Sequence, residues 1–327
     1  MPPPVFSQFS DVSMRFMARK RQRRGQRKQH GSRWPYVLIL GAVVAVAIAY
    51  WRSPADRREE ISKAWSGLVD QVRKRVVDLA GTTTDSFSTP IESAGRFYSF
   101  AGLPRPDGFL HPILVLTNLG YLSGYCEELK SPVWVSYRVF HLAASKSMER
   151  PGRFLVDERT RTKVAHADYT HSGYDRGHLA PNYAIGTRYG REAQVESFLM
   201  SNIVPQKPKL NRTLWRFLEE REANEYALNF EEIWVLTGPI FDRNITRLSS
   251  GVEIPDAFYK ILLDDEGSGQ LRVMAFRIDQ DVTGTERLSQ FLTTVDAIEA
   301  ETGLDFLSGL EDGLENEVES VRVDRVW

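Results

Sequence analysis

Cysteine is almost absent: Cys126 stands alone in 327 residues. That excludes an intrachain disulfide framework and any thiolate-rich zinc or iron–sulfur site, because each needs at least two thiolates. An excess of charge of one sign is missing too, since 42 Lys and Arg face 43 Asp and Glu for a net charge of −1. The chain also has no G-x-S-x-G elbow, no G-x-x-x-x-G-K phosphate loop, no G-x-G-x-x-G fingerprint and no H-E-x-x-H helix. Nucleophile-elbow hydrolases, P-loop enzymes, dinucleotide binders and zincins are therefore set aside.

The neutral total conceals a gradient. Residues 1–33 carry a net +8, residues 34–149 a net +1, residues 150–216 a net +6 and residues 217–327 a net −16. A basic block thus lies inside the body of the chain. The acidic final third reads as a solvated shell or as a surface that repels nucleic acid from every face but one.

Long uncharged runs are scarce, and the exception is Trp34 to Trp51. At about 1.5 Å of helical rise per residue this run spans roughly 27 Å, near the ~30 Å of a bilayer core. Trp34, Tyr36, Tyr50 and Trp51 supply aromatic ends, and the +8 arm precedes it. A buried core helix and a signal-peptide core fit less well, because a solvated basic arm adjoins the run and a signal-peptide core is usually shorter. The expectation is a transmembrane helix over 34–51, with residues 1–33 cytoplasmic and the remainder on the non-cytoplasmic, periplasmic side. A mitochondrial presequence with an inner-membrane anchor, facing the intermembrane space, is the alternative. The apolar spacing of Ile61, Trp65, Leu68, Val72, Val76 and Leu79 predicts a helical stalk, and 81–90 reads as a linker. Residues 52–90 thus lead to a domain over 91–327.

Within that domain, β-branched and aromatic runs predict strands at 113–117, 133–140, 233–236, 258–263 and 271–278. Helical periodicity covers Leu210 to about Ala227 and Arg287 to Ala300. Strands and helices that do not alternate regularly argue for an α+β fold.

Chemistry concentrates in the basic block, at His171-Ser-Gly-Tyr-Asp175-Arg176-Gly177-His178-Leu-Ala-Pro181-Asn182 and at Leu210-Asn211-Arg-Thr-Leu-Trp215-Arg-Phe-Leu-Glu219. An imidazole such as His178 can take a proton from water near neutrality. Asp175 could fix that imidazole or its strand. The Asn211 amide oxygen is a neutral hard ligand of the kind Mg²⁺ accepts while keeping most of its waters. Glu219, slightly over two turns along, is expected to share a face with Asn211 and to reach a water of the ion's shell. Few protein ligands, a neutral base and surrounding arginines suit phosphodiester hydrolysis. The competing view of His166, His171 and His178 as a zinc cluster lacks regular spacing and further ligands. Trp215, Phe217 and Leu218 read as core.

Asp175-Arg176-Gly177-His178, followed by Ser201-Asn202-Ile203, Pro205-Gln206 and Leu210-Asn211, resembles the DNA/RNA non-specific endonuclease family. Asn118-x-Gly120-Tyr121, Trp134-Val-Ser-Tyr137-Arg138 and Thr237-Gly238-Pro239 extend the likeness over most of 110–300. The resemblance implies a ββα-metal (His-Me finger) core, with a central antiparallel or mixed sheet flanked by helices. It implies His178 as general base, Asn211 as the single direct protein ligand to Mg²⁺ (Mn²⁺ being the substitute), and Glu219 as a water-mediated carboxylate. It also implies roles beside the base for Asp175 and Arg176, and an active-site role for Asn202. A phosphate-binding arginine is expected upstream: Arg153, with Arg159 and Arg161 as rivals. The implied substrates are DNA and RNA, cut to 5′-phosphate products, and the family's dimers are compatible with the stalk. The contrasting expectation is an inactive nuclease-like fold that binds nucleic acid or a partner at the membrane. Asn211-Arg-Thr213 and Asn244-Ile-Thr246 are N-glycosylation sequons, and modifying Asn211 would destroy the site, which disfavours passage through a eukaryotic secretory lumen.

Overall fold

The computed structural model describes residues 97–327, apart from 144–147, 243 and 266–269. All of these belong to the unit Ser88–Trp327, and the other unit, Met1–Phe87, lies outside the described residues. So do the basic arm, the expected transmembrane helix over 34–51, the stalk and the linker. Among the described residues no helix is long and apolar enough to cross a membrane.

The strands β1 (Leu114–Asn118), β2 (Tyr121–Cys126) and β3 (Ser131–Phe140) form a meander. A two-stranded ribbon follows, made of β4 (Asp175–His178) and β5 (Ile203–Gln206), with α1 (Asn182–Tyr189) and α2 (Arg191–Glu196) between its strands. The next helix, α3, spans 210–229; within it Leu210–Trp215 and Glu222–Tyr226 are π-helical and Arg216–Arg221 is α-helical. Then come β6 (Glu232–Ile240), β7 (Ala257–Asp265), β8 (Leu271–Asp279), β9 (Leu292–Thr293), α4 (Val295–Thr302) and α5 (Asp312–Ser320). The main sheet runs β1-β2-β3-β6-β7-β8-β9 and every pairing is antiparallel, so the fold is α+β.

The sheet is buried on both faces, which is why its central strands read as continuous apolar runs. Along β7, Phe258 and Leu262 join the core under α3, while Tyr259, Ile261 and Leu263 join the core under α4 and α5. α3 adds Leu210, Leu214 and Leu218 at intervals of four, with Trp215 beside them. Phe217, expected in the core, is instead exposed. Each fully buried side chain of this kind contributes about 1.5–3 kcal/mol, so the sheet fixes α3 firmly.

Two expectations change. β2 was not anticipated, because Ser123 and Gly124 interrupt its apolar pattern. The helix expected from Arg287 is only α4: Leu288–Phe291 is a 3₁₀ turn, and Leu292 and Thr293 pair with Phe276 and Ala275 of β8. Thr294 then starts α4 as its N-cap, its Oγ1 accepting from the Ala297 N–H at 3.1 Å. Gly303, at φ +68°, ends it.

Candidate active site

The β4–β5 ribbon and α3 face one another across a cleft of about 570 Å³, lined by Arg150, Arg176, His178, Asn211, Arg212, Arg216 and Glu219 among others. Residues 33 positions apart in sequence thus meet at one place.

Gly177 makes the ribbon possible. A Cβ at this position would sit 2.0 Å from Gln206 Oε1, so close pairing with β5 requires the missing side chain. His178 ends β4 opposite Ile203. Its ring lies between Phe154 and Phe198, at centroid distances of 5.2 and 4.7 Å. Its Nε2 is buried with no protein hydrogen-bond partner. Burial, and then the nearby Arg150 guanidinium, push the imidazole down to about 3. The ring is therefore neutral and available as a proton acceptor.

The Asp175 carboxylate makes its hydrogen bonds to α3. Its Oδ2 accepts from Asn211 Nδ2 at 3.0 Å and from Arg212 Nε at 2.8 Å, and its Oδ1 accepts from Arg212 Nη2 at 2.6 Å. These donors hold the carboxyl below its ordinary range despite partial burial. Because Nδ2 is committed to Asp175, the Asn211 amide presents its oxygen as the free acceptor.

Glu219 reaches the same cleft through the π turn. In a regular α-helix, eight residues rotate through about 800°, leaving Glu219 roughly 80° away from Asn211. One π turn absorbs an extra residue and returns the offset to about 20°. The shared face expected from the sequence is thus real, but the π segment Leu210–Trp215 creates it. Glu219 Oε1 is buried without a hydrogen-bond partner. Burial pushes its carboxyl up to about 8, with Lys260 opposing.

Beneath it lies an ion pair that the sequence reading missed. Lys260 Nζ stands 2.7 Å from Glu222 Oε1, and both side chains are fully buried. Tyr137 donates to Glu222 Oε2 at 2.7 Å, and the Lys260 ammonium sits 4.7 Å from the Trp215 ring centroid. The available signal was Lys260 itself, a lone charge inside the apolar run of β7.

Arg176 lines the cleft while its guanidinium donates to the His166 carbonyl and to Thr170 Oγ1. Asn202 does not face the cleft. It is fully buried, with Oδ1 accepting from Ala180 N and Nδ2 donating to the carbonyls of Ala180 and Ser197, so it pins the chain that leaves His178. Arg153 is exposed and outside the cleft lining. Arg159 is committed to Asp157, Thr117 O and Asn118 Oδ1, and Arg161 lies against Glu127. The upstream guanidinium that does line the cleft is Arg150, 5.2 Å from the Phe198 ring centroid. No signal in the sequence separated it from Arg153. Among the described residues the three histidines form no metal-binding group.

The arrangement offers a neutral base, a fixed amide oxygen, a buried carboxylate oxygen and four guanidinium groups around one cleft. A profile of the DNA/RNA non-specific endonuclease family matches residues 111–313. The chain belongs to that family. As a member it is an endonuclease. A nuclease of Nostoc sp. is 30% identical over 227 residues, covering 66% of this chain and 79% of that protein. Mitochondrial endonuclease G of Bos taurus is 29% identical over 289 residues, covering 84% and 92%. A Serratia marcescens nuclease is 28% identical, covering 57% and 72%. Among solved structures, the EndoG/EndoGI complex gives a TM-score of 0.57 at 23% identity, over 70% of this chain and 95% of that one, a likeness of fold. Family membership implies nucleic acid as substrate and a divalent metal as helper.

Proposed function

We propose that the protein hydrolyses phosphodiester bonds of DNA and RNA with Mg²⁺, leaving 5′-phosphates. The observation that carries this reading is the convergence of His178, Asn211 and Glu219 on one arginine-lined cleft. The donor set fits the ion: hard oxygens only, one neutral, and Glu219 Oε1 buried without a partner. Held by Asn211, with Glu219 accepting from a water of its shell, Mg²⁺ would supply charge neutralisation at the phosphate and at the departing 3′-oxygen.

The chain's own groups do the rest. Arg150 and Arg176 draw the phosphate toward the histidine and offset charge as it grows. His178 takes a proton from the attacking water. A nearby phosphate anion favours the imidazolium, so substrate in the cleft raises the basicity that burial had suppressed. Asp175 keeps the Asn211 oxygen turned outward. These contacts address phosphate and carry little base preference.

The full-length protein, purified in detergent, should cut both plasmid and RNA in Mg²⁺ and stop in EDTA. Cutting that persists in EDTA at an unchanged rate would refute the metal-dependent reading. Arg150→Ala should lower kcat/KM by about a hundredfold, comparable to losing one charge-stabilising donor, and flatten the salt dependence by about one phosphate contact. Arg153→Ala should leave both nearly unchanged, and initial rates over a salt series decide between the two arginines.

We further propose that residues 34–51 hold the enzyme in a lipid bilayer, with the catalytic domain on the non-cytoplasmic side. Relatives named as mitochondrial are consistent with a mitochondrial membrane, and bacterial relatives with the periplasmic side.

A further inference from the structure

A second carboxylate cluster lies on the opposite side of the sheet from the cleft. α4 carries Asp296 and Glu299, α5 carries Glu319, and one ligand oxygen from each lies within 4.8 Å of the other two. These helices pack on the sheet through Val295, Ile298 and Val318, in the core that excludes α3.

Glu319 distinguishes this cluster from an ordinary acidic surface. It is only 6% exposed, and its Oε1 is buried with no hydrogen-bond partner. An ionised carboxylate in that position is strongly disfavoured unless a proton or a cation accompanies it. Burial, and then Glu299, Glu315, Asp296 and Asp305, push its carboxyl up to about 8. The nearby bases serve other groups: Arg277 pairs with Glu301 and Asp279, and Arg105 acts on Asp305 and Glu315.

We infer that Asp296, Glu299 and Glu319 form a site for a divalent cation of the calcium type, which fastens α5 to α4. Glu299 is already oriented, since its Oε1 accepts from the Phe306 N–H at 2.7 Å. Exposed Asp296 leaves room on the outer side for the waters that complete a shell of about six to eight oxygens. Oxygens that all lie within 4.8 Å of one another can each reach a shared ion at the Ca–O bond length of about 2.3–2.6 Å, and an irregular shell of carboxylates and waters suits Ca²⁺ better than the near-octahedral one that Mg²⁺ demands. The cation also answers the concentration of negative charge in residues 217–327.

The test uses the full chain carrying Asn211→Ala, which removes the metal ligand proposed in the cleft, stripped with EDTA and dialysed. Adding about 1 mM Ca²⁺ should raise Tm by about 5 °C, and equimolar Mg²⁺ should raise it less. Glu319→Gln should abolish the Ca²⁺ response while leaving the Tm of the metal-free protein near the parent's at neutral pH, since a carboxyl pushed up to about 8 is already uncharged there. If Glu319→Gln fails to fold, Asp296→Asn, at the exposed rim, should reduce the response instead. An unchanged Tm in Ca²⁺, or an equal rise in the variants, overturns the inference and leaves Glu319 as a carboxyl that keeps its proton.

Discussion

His178→Ala should lower kcat by about 10³-fold, within the range for a lost general base, while binding of uncut duplex in EDTA stays near the parent's value. The ring lies between Phe154 and Phe198, so Tm should fall modestly without loss of the fold. Retention of more than a tenth of the parent kcat would remove His178 from this role. The pH profile gives an independent reading. Because the free imidazole is held down to about 3, kcat/KM, which reports the free enzyme, should show no acid limb near the ordinary histidine value of about 6.5. Bound polyanion raises the imidazole, so the limb in kcat should lie higher than the one in kcat/KM. Stability has a corresponding window. The unfolded histidine takes up a proton below about 6.5 and the folded one does not, so this contribution is present above that value and lost as pH falls toward 3.

Lys260→Met should cost about 3–5 kcal/mol, the penalty for leaving one member of a buried pair unmatched. For a domain of this size that corresponds to a fall in Tm of about 10 °C. The cost arises at Glu222, which keeps only the Tyr137 hydroxyl. Combining Lys260→Met with Glu222→Leu should recover most of the loss, since apolar groups of similar volume often replace a buried pair without penalty. A double mutant as unstable as Lys260→Met would show that the ammonium matters chiefly through its contact with Trp215. Thermal melts of the three variants measure the coupling directly.

Of the five legible strands, the central ones are buried on both faces, so β-branched and aromatic residues dominate them. Where Ser123 and Gly124 break such a run, β2 was lost. The spacing of Leu288, Phe291, Val295 and Ile298 mimicked one long helix, and only tertiary pairing with β8 divided it. The residues bearing the chemistry stood out by type and order, and the structure brings His178, Arg176, Asn211 and Glu219 to one cleft. The supporting groups did not stand out. Arg150 and Arg153 have the same side chain three positions apart, and only the path of the backbone decides which one lines the cleft. Asn202 carried a family likeness, yet its amide is spent on Ala180 and Ser197. Asp175, read as fixing the imidazole or its strand, hydrogen-bonds Asn211 and Arg212.

The π turn at Leu210–Trp215 also sets a limit on how this protein can vary. A π turn is an α-helix with one residue more than its pitch allows, so the helical reading frame shifts at that point. Eight positions apart in sequence, Glu219 and Asn211 stay aligned only while the surplus residue is held as a π turn. Point substitutions within the turn leave the count intact. A further single-residue insertion between the two would swing Glu219 about 100° around the axis, and no replacement of side chains could turn it back, whereas deleting the surplus residue would leave a seven-residue α-helical spacing with nearly the same small offset. The segment should therefore accept changes of letter, or loss of the surplus residue, more readily than any further lengthening.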